Sequence, residues 1–585
     1  MRATWIVLVA ALAGGACGDT RLEEVALPTS AARQVRAPDA GPLRVELPDP
    51  VAPDVRRRAS VGPPPISGGT LLATFDGLLV AGDELTGHVF VFDPERRGLF
   101  GEIRLRRDAW PGRAVESFSG AVAIVLRGTG ELLVIDPTVP EVLDRRYVCP
   151  APRGVARDWR ASLVHVACAG GELISLDETH HRVVRRAWLA PDLRDVVVLG
   201  DRLLVSRFRS AEVLVVDSSG DIVRRVTPPS EEHTGVDPPI VTVPRVAWRL
   251  RSMSSDRAWM IHQMHVASDL GRVARELDRP DASPYFPADP DDSRDLPAAI
   301  VTTRITSFTP DGDPGPGTTA SAEPFVDALA EYDMRALVRP GAPDHSVAVA
   351  ITQGRVRARL LQDPQYLLRL QRWDSSARDW QELYVERPER VAVPDLGWRA
   401  FHGTRDGMSC ASCHPEGADD GHVWIDPSDG ARRTQTLLGG LAGTHPYHWA
   451  GDLGSFDAVI DRQSARLRQI YTEAERVSML AWLDGLDAPR GVAIAEPGAE
   501  AAFEEAGCVA CHAGRSGSDG LAHDVGAGAM QTPRLLGVAQ RPPYFHDGCA
   551  QALEQTLDGT CRAIDAHGVV DDGLRARVLE RLRAF

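Results

Sequence analysis

Residues 410–414 read Cys-Ala-Ser-Cys-His, and residues 508–512 read Cys-Val-Ala-Cys-His. Two thiols separated by two residues on a helical turn can reach the two vinyl groups of a haem. The next residue then brings an imidazole to the iron. With nine cysteines and 17 histidines in 585 residues, chance would give roughly 0.004 such strings. The pattern assigns Cys410, Cys413, Cys508 and Cys511 to covalent attachment, and His414 and His512 to the proximal iron positions. A zinc site would not need a histidine after both pairs, and no βαβ pattern suits a thioredoxin-like dithiol. Two covalent haem c groups are the expected cofactors.

The elements around the two motifs repeat. RTQTLLGGLAGTHPYHWAGDLGSFDAVI (433–460) and QTPRLLGVAQRPPYFHDGCAQALEQTL (531–557) are sister strips. The motif cysteines are offset by 98 residues, and Pro446-Tyr447 against Pro543-Tyr544 by 97. GAEAAFEEAGC predicts a helix entering the second motif. Thr472 to Leu486 and Asp572 to Phe585 predict a closing helix for each half, and Thr472 with Glu475 forms a capping box. Two helical cytochrome c modules are expected, at 397–490 and 491–585.

This tandem resembles the bacterial di-haem cytochrome c peroxidases and the related methylamine-dehydrogenase-maturing enzyme. The carriers are CxxCH, a TPxLxG-like strip, and PYFHDG followed by LEQ, with His546, Asp547, Gly548, Leu553 and Glu554. His448-Trp449-Ala450-Gly451 is similar to that family's FWDG segment. The resemblance covers about 180 C-terminal residues, and a propeller ahead of them is similar to exported proteins with YVTN-type propellers. It implies that His546, Asp457 and Trp449 are the candidate catalytic or electron-relay residues. The family's second haem takes a distal Met or Tyr after HDG, and this chain has neither after His546. Met530 and His567 are the candidates there. For the first iron, His445, His448, Met408 and Met479 compete. A five-coordinate haem binds peroxide, whereas a six-coordinate one mainly passes electrons. Electron transfer therefore ranks above peroxidase-like or protein-maturing chemistry. The plainer reading is that these His and Met residues pack against porphyrin, that Trp449 is core, and that His546 pins a loop. Arginine forks suit haem propionates without singling out a residue.

The first half is strand-like, and one phrase recurs in it: GHVFVFD (87–93), GELLVID (130–136), GELISLD (171–177) and AEVLVVD (211–217). The closing Asp93, Asp136, Asp177 and Asp217 stand 43, 41 and 40 residues apart, each after a sister strand. A period near 40 with about four short strands predicts propeller blades, seven of them, over 66–396. A stack of β-sandwich domains is the alternative. The stretch 274–325 is expected to be a polar insertion. His262 and His265 read as ordinary strand histidines on opposite faces, and Asp289 to Asp295 as a solvated loop. The fold class is thus multidomain β + α: an N-terminal β-propeller followed by two all-α cytochrome c modules.

Residues 1–17 read as a lipoprotein-type signal, with Arg2, an apolar run from Trp5 to Ala13, and small residues before Cys17. Cys17 is the expected lipidation site, although Gly14 stands where leucine is more usual; plain signal-peptidase cleavage is the alternative. Residues 18–65 form a Pro/Ala/Arg-rich tether. The expected location is the periplasm or an outer membrane, with membrane contact only through the lipid anchor. All 65 cations are arginine and 81 residues are acidic, for a net charge of −16. The absence of lysine excludes Schiff-base and Walker-loop chemistry, and an acidic chain without a basic cluster makes nucleic acid a poor partner. A redox protein is the expected partner. Cys149 with Cys168, and Cys549 with Cys561, then read as two disulfides, which assigns all nine cysteines; unpaired buried thiols are the alternative. The competing functions are an exported di-haem electron carrier, a peroxidase-like or maturing oxidoreductase with one open haem, and a propeller that binds a ligand or partner and senses redox state.

Overall fold

Short runs of Val, Leu and Ile, cut every five to seven residues by turn residues, build the first half as antiparallel meanders. We describe it from a computed structural model. The described residues are 71–315 and 318–319 apart from 84–86, 94–97, 253, 277–294, 296, 298 and 299; the backbone of four strands within 345–386; and 396–585 apart from 403–408, 468, 469, 490, 492–496, 527 and 562–569. The expected signal, Cys17, the tether, Met408 and His567 lie outside these residues.

The first sheet is β1 (Leu71–Ala73), β2 (Leu79–Asp83), β3 (His88–Asp93) and β4 (Gly98–Arg104). The second is β5 (Pro111–Glu116), β6 (Val122–Leu126), β7 (Glu131–Asp136) and β8 (Glu141–Tyr147). The third is β9 (Pro152–Asp158), β10 (Leu163–Cys168), β11 (Glu172–Asp177) and β12 (Val183–Trp188). The fourth is β13 (Leu193–Leu199), β14 (Arg202–Arg207), β15 (Val213–Val216) and β16 (Ile222–Val226). The fifth has five strands: β17 (Glu231–His233), β18 (Ile240–Ser252), β19 (Ala258–Val266), β20 (Val301–Phe308) and β21 (Thr318–Thr319). The sixth is β22 (His345–Ile351), β23 (Arg357–Gln362), β24 (Leu368–Asp374) and β25 (Asp379–Glu386).

Each sheet opens on a strand that lies beside its counterpart in the next: β1 beside β5, β5 beside β9, and β9 beside β13. Strand β13 lies beside β18, and β22 returns to β1. This is a propeller-like arrangement of six sheets among the described residues, one fewer than the seven expected. The recurring phrase is the third strand of the first four blades, and its sister is the second. The closing aspartates cap the turn that follows: Asp136 accepts from the Thr138 N–H at 2.8 Å, Asp177 from His180 at 2.6 Å, and Asp217 from Ser219 at 2.9 Å. The Thr138 hydroxyl on Asp136 at 2.7 Å and the Asp221 N–H on Asp217 at 3.0 Å, together with these bonds, hold the two carboxyls below their ordinary range. The Cys149–Cys168 disulfide links the blade 2–3 connection to the second strand of blade 3. The expected insertion is interrupted, because β20 pairs with β19 and completes the fifth blade. Of the acidic stretch, only Asp295 is described, and it accepts from the Thr234 N–H at 2.9 Å.

After the blades come α1 (Leu396–His402), α2 (Cys410–Cys413), the hairpin β26 (Val423–Asp426)–β27 (Gly430–Arg433), α3 (Phe456–Leu467) and α4 (Glu473–Asp484). The last unit holds α5 (Ala499–Glu505), the hairpin β28 (Ala522–Asp524)–β29 (Ala529–Gln531) and α6 (Asp572–Ala584). The closing helices fall where expected, and Thr472 and Glu475 cap α4 reciprocally, at 3.3 and 2.8 Å. The two units are not all-α. Each contains a hairpin and long Gly/Pro-rich loops that cannot sustain helix. Blade residues Phe208, Trp248, Ile261 and Ile305 share one core with Phe401, Tyr471, Trp482 and Leu486 of the first unit. The second unit buries its own cluster around Phe503, Tyr544 and Leu579. Among the described residues no helix is long and apolar enough to cross a membrane.

Candidate functional site

In both CxxCH motifs the histidine N–H returns to the carbonyl of the first cysteine at 2.9 Å. That bond closes one helical turn, so two thiols and one imidazole leave the same turn. Ser409 and Ser412 start the first of these turns, with the Ser409 N–H on Ser412 Oγ at 3.1 Å. Each imidazole is then tied down at Nδ1: His414 to the Ala418 carbonyl at 3.2 Å, His512 to the Gly517 carbonyl at 2.8 Å. A donor N–H at Nδ1 selects Nε2 as the ligating nitrogen and fixes the ring plane. Burial lowers the pKa of both histidines, which keeps them neutral, as ligands must be. Cys410, Cys413, Cys508 and Cys511 are thiols, while Cys549–Cys561 is a disulfide like Cys149–Cys168. Burial drives the Cys413 thiol far up and raises Cys508 and Cys511, the opposite of an activated dithiol. The donor set of each turn therefore fits a porphyrin carrying two thioether links and one axial imidazole.

The duplication is visible atom by atom. His448 and Phe545 both adopt left-handed φ, 75° and 69°. Tyr447 bridges Leu453 as Tyr544 bridges Ala550. The halves also exchange hydrogen bonds. The Arg433 N–H donates to the His546 carbonyl at 2.6 Å, and the Gln531 N–H to the Trp449 carbonyl at 2.8 Å. Trp449 and His546 hold equivalent positions, and their rings meet edge to face at 6.3 Å between centroids. The Trp449 indole N–H donates to the Arg433 carbonyl at 2.6 Å. Burial lowers the His546 pKa, and its backbone rather than its ring pins the junction.

The remaining candidates scatter. His448 is engaged by carboxylates, with Nδ1 2.8 Å from Asp452 and Nε2 3.7 Å from Asp429, and Arg462 pairs with both acids. Nδ1 is thereby hydrogen-bonded, whereas the Nε2 contact with Asp429 is longer than a hydrogen bond. Met479 is fully buried core in α4. Asp457 stands out at the start of α3, 71% exposed and 3.7 Å from Arg476, so it lines no buried site. Met530 is buried on β29 opposite His523 of β28. His523, which sequence reasoning passed over, binds Asp519 at 2.7 Å, and Cys511, Asp519 and His523 bring their ligating atoms within 4.8 Å of one another.

The segment between the first motif and β26, Pro415 to His422, plugs into the propeller. Glu416 takes a bidentate fork from Arg194 at 2.6 and 3.1 Å, with Arg153 at 3.6 Å. Asp419 takes Arg209 at 2.7 Å and Arg433 at 2.9 Å. Arg209 also reaches Asp192 at 2.6 Å and the Gln540 carbonyl at 2.7 Å, so one guanidinium touches both C-terminal units. Burial alone would raise the Glu416 pKa, but Arg194, Arg153 and Arg127 overcome it and hold it at about 2. The two strand histidines separate as expected: His262 bonds Thr306 at 2.9 Å within the blade. His265 instead faces the docked segment, stacked on Trp424 at 5.3 Å and edge-on to His422 at 5.0 Å. Asp420 lies 3.5 Å from His265, fully buried, and burial pushes its carboxyl up to about 7. His422 donates its Nε2–H to the Val266 carbonyl, 3.0 Å away, which makes Nε2 the protonated nitrogen.

No family model matches the chain, and no curated protein matches it. Among solved structures it is similar to the hydrazine synthase of Kuenenia stuttgartiensis, at 13% identity over 53% of this chain and 78% of that one, with a TM-score of 0.33. It is similar to virginiamycin B lyase from Staphylococcus aureus, at 12% identity over 56% and 86%, TM-score 0.31. The WD40 domain of Neurospora crassa Pan2 stands at 11%, 59% and 84%, also 0.31. Likenesses at these scores leave the propeller-like assignment to the sheet topology itself.

Proposed function

We propose that this chain is an exported di-haem c-type protein that transfers electrons, with the propeller as scaffold and docking domain. The observation that carries the reading is the paired geometry of the two CxxCH turns, each with its imidazole anchored at Nδ1 by a backbone carbonyl. Cys410, Cys413 and His414 would hold one haem, and Cys508, Cys511 and His512 the other. The haem supplies one-electron redox chemistry when bound. The protein's own part is to keep each imidazole neutral and oriented, and to lock the two units together through Arg433, Trp449, Gln531 and His546. With His448 held by Asp452 and Asp429 and Asp457 in solvent, support for a peroxide-activating acid in the first unit falls away. The redox partner is a protein, and the lipid anchor at Cys17 belongs to the same proposal.

A pyridine haemochrome assay on the purified full chain tests it. Two haems per chain are expected, and one after Cys508→Ala with Cys511→Ala. A count of zero in the parent, or an unchanged count in the variant, overturns the reading.

A further inference from the structure

The docked C-terminal units occupy one end of the blades. Arg153 and Arg194 stand at the start of β9 and β13, Arg209 follows β14, and Val266 closes β19. Each contact comes from the start of a first strand or the end of a second. The turns between first and second strands therefore lie at the opposite end.

Those turns carry aromatic side chains in three successive blades: Phe75 between β1 and β2, Phe118 between β5 and β6, and Trp159 between β9 and β10. They are 84, 90 and 67% exposed. Val139, in the turn between β7 and β8 at the same end, is exposed as well. Single exposed apolar residues are ordinary, but the same register in neighbouring blades makes a patch. The equivalent turns of the next two blades are polar, with Asp201 in one and Ser254, Ser255 and Asp256 in the other. The aromatic tips are held in place. The Phe75 N–H donates to Glu116 of the next blade at 2.8 Å, and the Phe118 N–H to Glu178 of the next at 2.7 Å. Arg157 pairs with Glu178 at 2.7 Å and lies 5.7 Å from the centre of the Phe118 ring. Asp158 accepts from the Arg160 N–H at 2.9 Å, and the Arg160 guanidinium lies over Trp159 at 5.1 Å. The acids of this face thus brace the turns, while Asp76 and Arg160 add one charge of each sign at the tips.

Protruding aromatic rings with balanced charge suit a surface that is apolar beneath a zwitterionic layer. The chain ahead of β1 says which surface is near. The lipid anchor proposed at Cys17 is joined to β1 by residues 18–70, a length that lets either end of the blades reach the bilayer. An anchored protein meets that bilayer at high effective concentration, so a few rings are enough to orient it. A net charge of −16 makes attraction to anionic lipid a poor alternative. We infer that the face of Phe75, Phe118 and Trp159 rests on a zwitterionic lipid surface, with the three rings in the headgroup layer and the C-terminal units turned away from it. The inference rests on the anchor in the proposed function, which the intact mass of the isolated protein tests separately.

The test is flotation of the full chain with phosphatidylcholine vesicles in a Cys17→Ala background, where no acyl chain holds the protein. Phe75→Ser and Phe118→Ser should each weaken partitioning about tenfold, and Phe118→Leu should recover part of the loss. Val223→Ser, on the outer strand β16 of blade 4 and likewise exposed, should change nothing. Added salt should leave the binding in place, since charge does not carry it. Near-ultraviolet circular dichroism checks the folding of each variant. Equal flotation of the parent and of the Phe75→Ser/Phe118→Ser double variant, or binding that needs anionic lipid and vanishes in salt, overturns the inference. A chain that ignores vesicles and self-associates through these phenylalanines in sedimentation velocity overturns it too, because the face then pairs two copies. Flotation that depends on the phenylalanines, in a protein whose mass shows no acyl chains, removes the anchor and keeps the lipid-facing surface.

Discussion

Glu416 offers the most direct probe of how the first C-terminal unit is held on the propeller. Its carboxylate is 7% exposed and faces the Arg194 fork, with Arg153 behind it. A carboxyl held at about 2, against an ordinary 4.5, stabilises the folded chain by about 3 kcal/mol at neutral pH. Severing one partner of a buried pair costs roughly 3–5 kcal/mol by an independent measure. The two figures agree, so Glu416→Gln, which keeps shape and removes charge, should cost about 3 kcal/mol. The sign also fixes a pH course. A depressed acid contributes fully above pH 4.5 and loses its contribution as pH falls through 2. Urea unfolding of the full chain, followed by tryptophan fluorescence, should separate parent and variant by about 3 kcal/mol at pH 7 and by roughly 1 kcal/mol at pH 3. Arg462→Ala is the control, since that arginine is 25% exposed between Asp429 and Asp452 and should cost within about 1 kcal/mol. Superimposed curves at pH 7, or a gap that does not narrow in acid, refute the reasoning.

Asp420 should behave with the opposite sign. Its carboxyl is raised to about 7 by burial, so folding takes up a proton and stability falls as pH climbs from 3.8 toward 7. Asp420→Asn should abolish that fall and stabilise the chain at pH 8 by up to about 4 kcal/mol; equal pH slopes in urea unfolding would count against it. Replacing Cys149 and Cys168 together by alanine opens a link of sequence separation 19 and should lower stability by about 3 kcal/mol on the chain-entropy estimate. An unchanged thermal midpoint under non-reducing conditions would reject that link as a source of stability.

The blades were legible because the second and third strands carry continuous apolar runs and the third ends on a turn-capping aspartate. Asp136, Asp177 and Asp217 are signals of local chemistry, and local chemistry is written in sequence. Strand β20 was missed because Arg304, Ser307 and four threonine or isoleucine neighbours average to a polar segment between Pro/Asp-rich flanks, although Ile305 and Phe308 are buried. The all-α expectation failed at hairpins of only three or four residues per strand. Such elements are held by the partner half rather than by their own periodicity. The docking arginines left one signal unread: the inner strands open PGR, PRG and LRD, placing polar residues where an inner strand should be apolar. Arg113 on Asp195 at 2.9 Å and Arg194 on Glu416 show what those residues meet.

The exchanged hydrogen bonds bear on why the tandem is a unit rather than two beads. Two independent modules would satisfy Arg433 N–H and Gln531 N–H within themselves, as a buried donor must be satisfied somewhere. Here each donor finds its acceptor in the other half, at 2.6 and 2.8 Å. Pulling the halves apart would therefore orphan two backbone donors and two carbonyls at once, and would also uncover the Trp449 and His546 rings. Arg209 adds a third tie, from blade 4 to Asp419 of one half and Gln540 of the other. A protein that has to hold two redox centres at a fixed separation needs this kind of cross-linking. In the proposed function the propeller then acts as the bed that sets that separation, through Arg194, Arg209 and the buried face at His265.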